Sequence, residues 1–400
     1  MEKLKNDNNK FGSESILVIL LSLMLNANVV RYTFNLSENS IALDGVLVLC
    51  VMVGLYNVRD TIALKEFYKV CMFAVPICVY GLLSIICLES DGIITVFKLI
   101  YLFLIYIIGM SVPYRIITKI LLYTVVVNLL YTSFIIAMPE KAMEYLFQGE
   151  ANYLNLTLTL GLSLTISLVY SVCNYFSYSG ILRSILGLIV TSIFFLACSA
   201  FMARGTVLFP VLIAFIITSI IGIRKKVKGL VAFFILLFII SIATTYYLNS
   251  ATDMAVSRMD RLFNDTEDES RVSIWLEALS VIFNNGWFIL GGGVNAFTMY
   301  LGGYPHNIFL QFLGEYGFWG LIFISCIVYK SIREFYISNT MIRIKKRFSL
   351  DDMTVYITFS GMLYFLFTLS KSFSCYDAYT LFFMLGAVLK TSRYSVEENK

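Results

Sequence analysis

Apolar runs close to the ~20 residues that an α-helix needs to cross a bilayer recur along the whole chain. They lie near Ile16–Val30, Ile41–Val58, Tyr68–Cys87, Ile93–Val112, Ile116–Ala137 and Tyr153–Phe176. The pattern continues near Ile181–Phe201, Thr206–Ile223, Leu230–Leu248, Ile308–Tyr329, Met353–Ser370 and Ala378–Leu389. Short polar connections separate the runs, so the pattern predicts an all-α polytopic membrane protein with about twelve transmembrane helices. The first run follows an Asn- and Lys-rich start and lacks a good cleavage site, which predicts a retained span, not a removed signal peptide.

The alternation of run and connection breaks once, between Leu248 and Ile308. The chain therefore divides into helices one to nine over 1–248, a large loop over 249–307, and helices ten to twelve over 308–400. The loop starts polar and acidic. Val272, Trp275, Ala278, Leu279, Ile282 and Phe283 then fall on one face of a helix. Asn284, Asn285 and Gly286 should stop that helix, and Gly291, Gly292 and Gly293 predict a turn that side chains would block. Tyr304-Pro305-His306-Asn307 follows, holding the only histidine of the chain, directly before the tenth run.

With 59% hydrophobic and 14% charged residues, a soluble domain is excluded. A net charge of +4 gives no reason to expect nucleic acid as a partner. The eight cysteines form no CxxC pair, so neither a disulfide framework nor a zinc site is indicated. Lysines and arginines decide orientation. With the N-terminus cytoplasmic, most fall inside, and only Arg31, Lys98, Lys141, Arg204, Arg258, Arg261, Arg271 and Lys371 fall outside. Both termini are then cytoplasmic, and the 249–307 loop and the Ser199–Gly205 turn face outward.

The outward arginines run against that bias. Arg204 stands in Ala203-Arg204-Gly205, where a plain turn would serve, and Arg258 and Arg261 are one helical turn apart. Forked guanidinium groups suit diphosphate oxygens because they bind bidentately and stay charged. Pairing of Arg258 and Arg261 with Asp260, Asp265, Glu267, Asp268 or Glu269 is the alternative reading. His306, expected at the outer interface, is a candidate general base towards a hydroxyl, or an interfacial anchor bonded to a carbonyl. One histidine without acidic ligand spacing argues against a catalytic metal.

Many spans, an Arg-Gly turn between two of them, and a long loop before the last spans resemble the O-antigen polymerase and ligase superfamily. Arg271 with Trp275, Gly291 to Gly293, His306-Asn307 with Phe309-Leu310, and Glu315 with Gly317 resemble its shared motif. The resemblance implies a GT-C-like fold and a metal-independent glycosyltransferase without a cofactor. Its donor and acceptor would be undecaprenyl-diphosphate-linked oligosaccharides, met on the outer face of the bacterial cytoplasmic membrane. The resemblance also implies diphosphate binding for Arg204, Arg258 and Arg271, and activation of the acceptor hydroxyl for His306. Arg261, Asn307, Glu315 and Lys371 are accessory candidates. Membrane lipids, a chain-length regulator and a flippase are the expected partners. An Asn-, Ile- and Lys-rich composition favours a polymerase of capsular or O-antigen-type polysaccharide over a ligase. The rival from another class is a lipid-linked oligosaccharide flippase or other transporter. That rival calls for ionisable or broken sites at the bilayer midplane, whereas only Asp44 and Glu315 are acidic positions expected well inside spans.

Overall fold

A computed structural model describes residues 2–26, 41–58, 64–88, 92–137, 150–176, 181–201, 205–222, 231, 267–342, 348–371 and 374–397. Among these there is no strand. The helices are α1 (Glu2–Leu25), α2 (Ile41–Val58), α3 (Leu64–Leu88), α4 (Ile93–Ser111), α5 (Tyr114–Ala137), α6 (Glu150–Phe176) and α7 (Ile181–Phe201). They continue as α8 (Gly205–Gly222), α9 (Glu267–Asn284), α10 (Trp287–Leu290), α11 (Ala296–Leu301), α12 (Ile308–Ile342), α13 (Leu350–Leu369) and α14 (Tyr379–Glu397). A 3-10 turn, Cys375–Asp377, leads into α14.

Seven of the described helices are long and apolar enough to cross a membrane: α3, α4, α5, α6, α8, α12 and α13. The all-α, polytopic expectation is borne out. The expected ninth span, Leu230–Leu248, and the loop to residue 266 lie outside the described residues, Leu230 and Lys228 included, with only Val231 assigned to helix. Three boundaries differ clearly: α1 begins at Glu2, not near Ile16, α14 ends at Glu397, not near Leu389, and α12 overruns its expected end. The tenth span was expected to close near Tyr329, but α12 continues to Ile342. Lys330 and Glu334, which read as the start of a connection, instead pair with Glu66 and Arg393 on α3 and α14 and hold the extra turns in place.

Helix α14 lies at the centre, against α4, α12 and α13. It meets α4 at two glycines: a Cβ on Gly109 would come 2.4 Å from the Phe383 carbonyl oxygen, and one on Gly386 2.4 Å from that of Tyr106. Small residues let the two backbones approach, which is how helices gain dispersion contact where lipid removes the hydrophobic drive. Polar side chains add interhelical bonds. Asn128 Nδ2 donates to Ser163 Oγ at 2.7 Å, and Asn26 Nδ2 to Thr124 Oγ1 at 3.4 Å. Met72, Val75, Val79 and Ile86 on α3, with Leu182, Leu186 and Ile189 on α7, are exposed and apolar, as lipid-facing positions should be.

Candidate functional site

The predicted amphipathic helix is α9, and it ends at Asn284 as expected. Ala278 and Ile282 are its buried face, packed with Trp287, Phe297 and Leu313, whereas Val272 and Phe283, expected on that face, are exposed. Gly286, at φ 70°, turns the chain into α10. The triple glycine then leaves the loop surface and enters the bundle.

Two breaks in regular structure meet there. Helix α12 is interrupted at Gly317, whose φ of 65° and ψ of −159° are open to glycine alone. A break of that kind strands the carbonyls of the preceding turn. Gly292 N–H donates to the Gly314 carbonyl at 2.7 Å, and Gly293 N–H to that of Glu315 at 3.0 Å. The fit leaves no room for a methyl group. A Cβ on Gly291 would lie 2.3 Å from the Glu315 carbonyl oxygen, and one on Gly317 2.3 Å from that of Ile289. The two glycine motifs are therefore one device: an extended segment that satisfies the freed carbonyls of a broken helix inside the protein. Helices α3 and α4 complete it. Tyr80 OH donates to the Gly291 carbonyl at 2.8 Å, Val294 N–H to Ser84 Oγ at 3.1 Å, and Asn295 Nδ2 to Thr95 Oγ1 at 3.2 Å. Tyr80 stands eight residues before the end of α3, so the segment reaches about 12 Å down that helix.

From this anchor the chain runs through α11 and a turn at Gly302 to His306. The residue is half-buried, and its φ of 51° is left-handed, a conformation non-glycine residues rarely adopt. The Tyr304 ring lies 4.5 Å from the imidazole, centroid to centroid. Asn307 caps α12, its Oδ1 accepting from Phe309 N–H at 3.0 Å and Leu310 N–H at 3.2 Å. Its Nδ2 donates to the Ser370 carbonyl at 3.2 Å. One hydrogen bond thus ties the neighbour of His306 to the neighbour of Lys371, and the two residues stand at the same end of the bundle.

Glu315 lies two turns further along α12 and is 1% exposed. Gln311 Nε2 donates to its Oε1 at 3.1 Å, and Tyr376 OH donates to its Oε2. Burial, reinforced by the Glu315 carboxylate, pushes the Tyr376 hydroxyl well above the ordinary tyrosine range, so it stays a donor. Tyr316 OH, 2.7 Å from Tyr376 OH, then supplies the proton of that second bond. Gln311 Oε1 accepts from Cys375 N–H at 2.8 Å, and its Nε2 also reaches Ser374 Oγ at 3.2 Å.

Among the residues singled out from sequence, His306, Asn307, Glu315 and Lys371 come together at this end. Arg204, Arg258 and Arg261 lie outside the described residues. Arg271 lies in α9, and its side chain lies outside them too. Gln311, Tyr376, Tyr80 and Ser84 escaped sequence reasoning. A signal existed for Gln311: Asn307, Gln311 and Glu315 recur every four residues in an apolar run, one polar stripe on a helix. Tyr80 and Ser84 read as ordinary span residues.

Residues 188–325 match a family model described as O-antigen ligase. The matched stretch runs from α7 into α12 and includes Arg204, Arg258, Arg271, the triple glycine, His306, Asn307 and Glu315. No curated protein matches the chain.

Proposed function

We propose that the chain is a repeat-unit polymerase of the O-antigen ligase and polymerase superfamily, a reading supported by the family match over residues 188–325. In this reading it transfers a growing oligosaccharide from undecaprenyl diphosphate to the next lipid-linked unit, at the outer face of the bacterial cytoplasmic membrane. The observation that carries the proposal is the placement of His306. It sits at the end of an apolar bundle, in a left-handed turn fixed by the Asn307 cap and the glycine anchor, next to an aromatic ring and the Lys371 connection.

The reaction follows from those groups. His306 accepts the proton of an acceptor sugar hydroxyl as its oxygen attacks the anomeric carbon of the donor. The anomeric C–O bond to the diphosphate breaks, and the lipid diphosphate leaves with the electron pair. Arg204, Arg258 and Arg271 would hold that diphosphate as its charge grows, and they require no metal. Arg261 and Lys371 would add to the same positive field. The description of the matched family favours a second reading, in which the acceptor is not another lipid-diphosphate unit and the enzyme is a ligase.

Purified protein given lipid-diphosphate-linked repeat units, with a chelator and without nucleotide, should yield a ladder of longer glycans. A single transfer seen only with a different acceptor would select the ligase. Passage of the substrate across sealed vesicles with no new glycosidic bond would replace both with a flippase.

A further inference from the structure

The polar stripe on α12 does more than join helices. Asn307, Gln311 and Glu315 each hold a successive part of the connection between α13 and α14: the Ser370 carbonyl, Ser374 with Cys375 N–H, and Tyr376 OH. Glu315 is also where the glycine segment docks, since its own carbonyl accepts from Gly293. Three irregular pieces of backbone therefore meet around one buried residue, Glu315: the glycine segment on its carbonyl, the 374–377 turn on its carboxylate, and the break at Gly317 two residues on. Lys98 on α4 closes the far side of that turn through Asp377 at 3.4 Å.

Such a network is a costly way to join helices. A buried carboxylate with hydroxyl and amide partners gains little over an apolar contact of the same shape, yet each partner removed strands another. What it adds is geometry: a directional bond fixes the turn of a connection that leucines would leave free to slide. Lys371 directly follows Ser370, and His306 directly precedes Asn307, so the Asn307–Ser370 bond lies between the two, with Gln311–Ser374 as the next fixed point.

Resting on the glycosyl-transfer reading above, we propose that Glu315, Gln311 and Tyr376 are positioning residues. They act with Asn307 on the described parts of the α13–α14 connection, Ser370–Lys371 and 374–377, to hold Lys371 beside His306, so that a cation and a proton acceptor face the same substrate. Glu315 in this arrangement accepts hydrogen bonds and takes no proton from the sugar. Its distinction from a proton acceptor is therefore chemical: an amide oxygen keeps the Gln311 bond, and its NH2 donates to Tyr376 OH once the Tyr376–Tyr316 hydroxyl pair reverses, whereas an apolar side chain keeps neither bond.

Tyr376→Phe is the gentlest test, because it keeps the ring and removes the hydroxyl shared by Glu315 and Tyr316. Misplacement of a reacting group by an ångström costs up to about a hundredfold in rate. Tyr376→Phe should accordingly lower turnover about tenfold or more, with the donor KM nearly unchanged and normal membrane abundance. Glu315→Gln should retain most turnover, and Glu315→Leu should lose it. Geometry is read separately, with cysteines at 306 and 371 and a short bifunctional thiol reagent, against the chain lacking them. Cross-linking should be efficient in the otherwise native chain and fall with Tyr376→Phe. Unchanged cross-linking beside lowered turnover overturns the positioning role, as does wild-type turnover in Tyr376→Phe. A Glu315→Gln protein as inactive as Glu315→Leu overturns it in favour of proton transfer by Glu315. If the unaltered protein joins no sugars, the glycosyl-transfer reading falls, and the cross-linking result alone decides whether the scaffold holds the pair.

Discussion

At one end of α12 a fully buried carboxylate, Glu315, is held by a tyrosine, a glutamine and backbone; at the other, Glu66 is met by charges. Lys330 pairs with Glu66, with Arg393 at 3.4 Å and Lys69 at 3.7 Å, and Arg393 also reaches Glu334 at 3.6 Å. Those charged side chains keep contact with solvent: Lys330 is 28% and Arg393 35% exposed, against 1% for Glu315. The contrast teaches what each end is for. Partly solvated ion pairs tolerate rearrangement, since water and neighbouring charges replace a lost partner. A dry hydrogen-bond network allows one geometry, because a lost partner has no substitute. The rigid end is the one that carries His306.

The largest effect expected from breaking that contrast is Gly317→Ala. The substitution imposes a glycine-only conformation on alanine, costing about 1–3 kcal/mol by itself, and adds to it by driving a Cβ into the Ile289 carbonyl. Thermal unfolding in detergent and membrane abundance should both collapse; a wild-type melting temperature would show that the rigid end is not rigid. Gln311→Ala comes next. It strands Cys375 N–H and one oxygen of Glu315, for about 1–3 kcal/mol. The loss should be the same at low and high salt, since the groups that carry it are buried away from the ions. Smallest is Glu66→Gln, at no more than about 1 kcal/mol, with a penalty that shrinks as salt screens the surrounding charges. A salt-independent loss from Glu66→Gln as large as that of Gln311→Ala would erase the difference between the two ends.

How much of this was legible in sequence follows the same division. The helices were readable because each apolar run reports its own solvent, residue by residue. α9 and its stop at Asn284 were readable for the same local reason. The His306–Asn307 pair stood out because a polar, proline-led turn precedes an apolar run. What could not be read is long-range. The partners Gln311 and Tyr376 are far apart in sequence, and only the fold brings the 374–377 turn onto α12. The triple glycine read as a surface turn because nothing local shows that Gly317, on another element, leaves carbonyls for it to satisfy. Glu66 drew no notice in sequence because its partners, Lys330 and Arg393, come from two distant helices.

The account stands most directly on His306. In full-length protein, His306→Ala should insert at normal abundance, keep the melting temperature of the parent within a few degrees, and still bind the lipid-diphosphate donor. Its rate of glycan transfer should fall by about a hundredfold to ten-thousandfold, the contribution of a general base, with repeat-unit-bearing lipid accumulating. Normal product at normal abundance would contradict the account: His306 would then be an interfacial anchor, and the rigid end of α12 would serve the fold and not the reaction.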